Sequence, residues 1–121
     1  MGYISLMASS PVSVIEMERY RRRAEEMLTA EERDTIVNLI AYAPLAGKII
    51  PGSGGLRKLR VGRDGTGKRG GARVVYYFYN EAFPIFLLSL YAKNEKAELS
   101  PSDKRLLART VEEIFAPWKK K

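Results

Sequence analysis

The residues best suited to chemistry in this chain are cations. Arg57, Lys58, Arg60, Arg63, Lys68, Arg69 and Arg73 crowd one stretch in which Asp64 is the only acid, a local charge of +6 in a chain whose net charge is +7. Within Leu56-Arg57-Lys58-Leu59-Arg60-Val61 the alternation suits a strand, where every second side chain shares a face. Leu59 and Val61 then point to a core, and Lys58 and Arg60 stand together on the opposite side. Two adjacent cations repel, and a bound phosphate would relieve that repulsion. A solvated edge strand that uses charge against aggregation gives the same pattern. Arg73 opens a Val/Tyr-rich run, where its charged head either reaches water along its aliphatic stem or aims a rigid fork at phosphate. Tyr91, Lys93 and Lys96 follow at the exit of a later apolar run. Tyr91 there either packs on the sheet or stacks on a base.

Other chemistries are poorly supplied. The chain has no cysteine and no histidine, which removes thiolate catalysis, disulfides and the commonest general base and metal ligand. Gly62, Gly67 and Lys68 satisfy the start of a phosphate-binding P-loop. The next residue is Arg69, where the magnesium-binding Ser or Thr belongs, and a strand-like run follows instead of a helix. The stretch Gly62–Gly71 is better read as a flexible basic hairpin loop, either docking on an RNA backbone or simply solvated. The paired glutamates, such as Glu25/Glu26 and Glu112/Glu113, fall on expected solvated faces. The Arg21–Arg23 run reads as a solvated helix face.

The elements that must position these cations are legible in part. Val12–Met17 is short and β-branched-rich, as a first strand should be. Tyr20, Ala24, Met27 and Leu28 recur at helical spacing. Thr29 and Glu32 form a T-x-x-E capping box, so a second helix begins there, and Pro44 stops it. Gly47–Gly55 is a Pro/Gly/Ser-rich connection. Leu56–Val61, Ala72–Asn80 and Pro84–Ala92 read as strands. Ser100 followed by Pro101 marks an N-cap and first helical position, and Leu107, Val111, Ile114 and Phe115 give the final helix one apolar face. The expected fold class is α+β, with two N-terminal helices and a C-terminal helix on an antiparallel-dominated sheet of about four strands. With 121 residues, one domain over 12–116 is expected, with a flexible leader at 1–11 and a basic tail at 117–121. No apolar run is long enough to span a membrane and the start lacks a secretory pattern, so a cytoplasmic location is expected.

Three runs carry a resemblance. They are Ile50-Pro51-Gly52-Ser53-Gly54-Gly55-Leu56-Arg57-Lys58-Leu59-Arg60-Val61, then Gly67-Lys68-Arg69-Gly70-Gly71-Ala72-Arg73-Val74-Val75-Tyr76-Tyr77, then Leu90-Tyr91-Ala92-Lys93-Asn94-Glu95-Lys96. In this order they resemble HigB-type toxins of the RelE superfamily, and the likeness in element order extends from about Val14 to Ile114. The resemblance implies a curved antiparallel sheet with helices. It also implies an endoribonuclease that cuts mRNA in the ribosomal A site without a metal or other cofactor, leaving a 2′,3′-cyclic phosphate or related 3′-phosphate end. The implied partners are mRNA on the ribosome and a helix-turn-helix antitoxin, with operator DNA reached only through that antitoxin. Matched to the family pattern, Lys58, Arg60, Arg73 and Lys93 are the catalytic candidates, and Arg57, Lys68, Arg69, Tyr91 and Lys96 the RNA contacts. Asn94 stands where RelE itself has an arginine, and Ser100 falls near the position of its C-terminal active-site tyrosine, so the pattern assigns neither the general acid nor the general base. Lys58 is the candidate base, since neighbouring cations favour its neutral amine. A non-enzymatic RNA- or ribosome-binding module with the same basic surface is the alternative.

Overall fold

A computed structural model describes residues 10–63, 67–95 and 98–119, with residues 63, 67–70 and 119 described by their backbone alone. The elements are β1 (Val14–Glu16), α1 (Glu18–Met27), α2 (Ala30–Tyr42), β2 (Lys48–Ile49), β3 (Arg57–Arg63), β4 (Gly67–Tyr77), β5 (Ile85–Ala92) and α3 (Pro101–Lys119). They form a five-stranded sheet in the order β1-β5-β4-β3-β2. Only β1 runs parallel to its neighbour; the other pairs are antiparallel. The α+β expectation holds, with one more strand than expected: β2, two residues long.

Local chemistry explains the helix starts. The Thr29 hydroxyl accepts the Glu32 amide at 3.0 Å, and the Glu32 carboxylate accepts the Thr29 amide at 2.9 Å, so two otherwise orphaned donors are satisfied. The Ser100 hydroxyl accepts the Asp103 amide at 3.1 Å, with Pro101 in the first helical turn. Helix α3 runs beyond the expected domain end at residue 116. Pro117 removes one helical amide donor, but the Trp118 ring packs on Phe83 and Phe115 with centroids 5.2 and 5.3 Å apart, which anchors the last turn. The helix therefore continues through Pro117 to Lys119.

The sheet separates two apolar layers. On one face Tyr20, Ala24 and Leu28 of α1 and Ile36 and Ile40 of α2 pack on Val61, Val74, Tyr76, Leu87 and Leu90. On the other, Leu107, Val111 and Phe115 of α3 pack on Leu56, Val75, Phe86, Leu88 and Tyr91. Burying a large aliphatic or aromatic side chain contributes roughly 1.5–3 kcal/mol, so these layers dominate stability. Ion pairs add orientation. Arg23 joins Glu95 beyond the end of β5, and Arg22 and Arg21 pair with Glu18 and Glu25 along α1. Of the expected solvated arginine face, Arg23 is thus a tie between elements.

The expected hairpin loop Gly62–Gly71 is largely strand. β3 continues to Arg63, β4 starts at Gly67, and the two pair there after a register shift between Val61 and Arg63. A glycine, Gly62, sits at that irregularity, where sheets commonly bulge.

Candidate active site

Two cross-strand pairs of like charge lie side by side on the α3 face of the sheet. Arg60 faces Arg73 between β3 and β4, and Lys48 faces Lys58 between β2 and β3. Lys58 and Arg60 are two apart on β3, so all four share one face, as the alternation of that strand requires. Leu59 and Val61 turn to the opposite layer. Like charges directly opposite one another destabilise a sheet. Two such pairs in contact are the reverse of what folding alone would select.

These four cations, with Ala46, Leu59 and Glu98, line an open groove of about 590 Å³. Arg60 and Lys48 are exposed and Lys58 is half-buried. Arg73 forms the floor, only 7% exposed, and among the described residues its guanidinium makes one long hydrogen bond, 3.5 Å, to the neighbouring Ala72 carbonyl. Among the described residues no carboxylate pairs with Lys48, Lys58, Arg60 or Arg73. A buried guanidinium without a counter-ion is costly, and its fork geometry matches a phosphate oxygen pair. The groove thus gathers four cations where a phosphate would find complementary charge. No group of three or more metal-ligating side chains occurs among the described residues.

The wall that carries Ala46 and Lys48 is fixed by Tyr76 from the opposite face. Its buried hydroxyl accepts the Gly47 amide and donates to the Pro44 carbonyl, each at 2.8 Å. Burial pushes this hydroxyl's pKa up, with the Gly47 hydrogen bond and the Arg57 charge acting the other way. Gly47 is required there: a Cβ would lie 2.7 Å from the Tyr76 ring and 3.1 Å from the Lys58 carbonyl. Arg57 completes the clamp by donating to the Gly47 carbonyl at 2.7 Å.

The sequence-predicted residues therefore divide. Lys58, Arg60 and Arg73 are brought together in the groove. Lys93 stands exposed just past β5, its amide bonded to the Gly71 carbonyl at 3.0 Å, and is not among the groove's lining residues. Arg57, expected as an RNA contact, pairs with Tyr76 in register and is committed to the Gly47 carbonyl, so the structure does not bring it to the groove. Tyr91, expected to stack on a base, is 3% exposed and packed in the α3 layer, with no ring face presented. What it offers is its hydroxyl. Burial raises the pKa of that hydroxyl, Arg73 lowers it, and Glu98 and Asp103 raise it further. The side chains of Lys68 and Arg69, and all of Lys96, lie outside the described residues.

Lys48 and Glu98 were not singled out from sequence. Lys48 sits on a strand of two residues, too short for periodicity to show. Glu98 lies in the irregular approach to α3, where spacing carries no directional information.

A bulge decides which way Tyr91 faces. Val75 pairs with Ser89 but Tyr76 pairs with Leu87, so Leu88 is an extra residue on β5. Phe86 and Leu88 face α3, yet Leu90 faces α1 and α2, and Tyr91 faces α3 opposite Arg73. Inserting one residue exchanges the faces of everything beyond it.

Similarity to known proteins agrees with this architecture. In a free-state double arginine-to-alanine variant of the E. coli toxin RelE, the same fold recurs with a TM-score of 0.52 at 16% sequence identity, covering 72% of this chain and 88% of that one. The family model described as the RelE toxin of the RelE/RelB toxin–antitoxin system matches residues 52–121, the segment that holds Lys58, Arg60, Arg73 and Glu98. That match spans more than half of the sequence, and this chain belongs to the RelE toxin family.

Proposed function

We propose that this toxin is of the HigB type and is an endoribonuclease that cleaves mRNA in the ribosomal A site. The observation that carries this reading is the pair of like-charged cross-strand contacts lining one groove without a carboxylate partner among the described residues. RNA cleavage by its own 2′-hydroxyl requires in-line geometry and relief of the extra negative charge on the phosphorane. Arg73 on the floor and Arg60 opposite it can grip two phosphoryl oxygens with charge-assisted hydrogen bonds, and Lys58 adds a third positive charge beside them. Attack gives a 2′,3′-cyclic phosphate and a 5′-hydroxyl, with no metal or cofactor required.

Lys93, together with Lys68, Arg69 and Lys96, would add positive charge for the RNA backbone. The groove is open and shallow, so the ribosome would supply the substrate alignment that free RNA lacks. A helix-turn-helix antitoxin would hold the toxin in check and carry it to operator DNA. No described helix is long and apolar enough to cross a membrane, and the ribosomal substrate would place the protein in the cytoplasm.

The test is controlled expression followed by mapping of mRNA ends, with purified toxin on programmed ribosomes in EDTA as the biochemical arm. Codon-associated cuts with 2′,3′-cyclic phosphate ends, lost in Arg73→Ala, are expected. Growth arrest without cuts would instead show a binding module that blocks the ribosome. Normal growth with no cuts would refute the toxin mechanism altogether.

A further inference from the structure

We propose that Glu98 is a catalytic residue of this groove, the base that takes the proton from the attacking 2′-hydroxyl. The proposal rests on reading the groove as the site of RNA cleavage. Among the described residues lining it, Glu98 is the only carboxylate, set among Lys48, Lys58, Arg60 and Arg73. It forms no ion pair with any of them, since no N–O distance within 4.0 Å joins it to a cation among the described residues. An acid placed to stabilise the fold would neutralise one of these neighbours. Glu98 leaves all four available for phosphate and stays exposed itself.

Its position relative to Arg73 is marked by Tyr91. Both residues line the same groove, and their charges act on the Tyr91 hydroxyl in opposite directions. A phosphate gripped by Arg73 would therefore hold its ribose in the groove that Glu98 also lines. The chemistry favours a carboxylate over Lys58. An ammonium group has no free lone pair and must first lose a proton, whereas an ionised carboxylate accepts at once. Lys58 then keeps its charge and helps hold the phosphate.

The step balances. The 2′-hydroxyl proton moves to a Glu98 carboxylate oxygen as O2′ bonds to phosphorus. The P–O5′ bond breaks, its electron pair leaves with O5′, and O5′ takes a proton from water. Glu98 then returns its proton to the hydroxide so formed.

The experiment compares wild type, Glu98→Gln, Glu98→Asp and Arg73→Ala in single-turnover cleavage on programmed ribosomes, with thermal melts in inorganic phosphate alongside. Glu98→Gln should lose about 10²–10⁴-fold in cleavage rate, the usual worth of a general base, and Glu98→Asp should fall between. The phosphate-induced rise in Tm should persist or grow in Glu98→Gln, because a negative charge has left the anion site, and should vanish in Arg73→Ala. Cleavage by Glu98→Gln within about threefold of wild type would overturn the assignment while leaving the ribonuclease reading intact. So would loss of the phosphate response together with cleavage, which would mean that Glu98 only arranges the cations. Failure of wild type to cut at all would remove the ribonuclease reading and this assignment with it.

Discussion

On the proposed function, Arg73 sets activity against stability, and the conflict can be measured. Arg73 is 7% exposed and lies directly opposite Arg60, and among the described residues its guanidinium makes one hydrogen bond, 3.5 Å long. Replacing buried charge by apolar side chains of similar volume is often neutral or stabilising by about 1–4 kcal/mol. Removing a directly opposed like charge from a sheet returns about 0.2–1 kcal/mol more. Arg73→Met keeps most of the volume and should raise the unfolding free energy by about 1–3 kcal/mol. For a domain of this size that is a Tm increase of about 5–20 °C. Urea unfolding should show a higher midpoint with an unchanged m-value. Inorganic phosphate should stabilise wild type by about 2.7 kcal/mol at one hundred times its Kd, and the Met variant far less. Cleavage should be abolished. If Arg73→Met instead lost more than about 1 kcal/mol, the guanidinium would be a structural support and the argument from uncompensated charge would fail.

Three further perturbations test the frame around the groove. Tyr76→Phe strips a partner from the buried Gly47 amide and Pro44 carbonyl, and should cost about 2–4 kcal/mol in urea unfolding; a loss under about 0.5 kcal/mol would mean that water satisfies both groups. Phe115 touches Tyr77, Tyr79, Phe83, Phe86 and Trp118 with ring centroids 5.3–5.7 Å away, so Phe115→Ala should cost about 3–5 kcal/mol by thermal or urea unfolding. Burial raises the hydroxyl pKa of Tyr20, Tyr76 and Tyr91 above the ordinary 10.0. Above that pH the unfolded chain has lost protons that the folded chain retains. Stability is therefore full below about pH 10 and falls as pH rises through the raised values, by up to about 1.4 kcal/mol per pH unit for each tyrosine. Tyr20→Phe should flatten the slope in pH-dependent melts, and an unchanged slope would show that Tyr20 ionises alike in both states.

What could be read from sequence was local. The Thr29/Glu32 capping box and the Ser100–Pro101 helix start are made by residues three apart or adjacent, so their chemistry is written within one turn. The alternation in β3 placed Lys58 and Arg60 on one face because a strand's side-chain period is two. The parallel pairing of β1 with β5 joins segments some seventy residues apart, and nothing local specifies it. The length of α3 also depends on distant residues. Pro117 is a strong local stop, but its effect is overridden by Trp118 docking on Phe83, a contact made only after β5 and α3 come together.

The site shows where this kind of reading ends. Opposing Arg60 to Arg73 depends on hairpin register, which the glycine-rich run between them leaves open until the ladder forms. Tyr91 is harder still. Uninterrupted alternation from Phe86 would send Leu90 to the α3 face and Tyr91 away from it; the extra residue Leu88 reverses both. The ring thereby joins the α3 core and is withdrawn from any base, while its hydroxyl comes under the influence of Arg73 and Glu98. Lys48 and Glu98 reach the groove from a two-residue strand and an irregular segment, where neither period nor propensity applies. The residues that could be named in advance are those that bind charge. Those that tune it depend on the assembled sheet, and a bulge of one residue decides which sheet face Tyr91 joins.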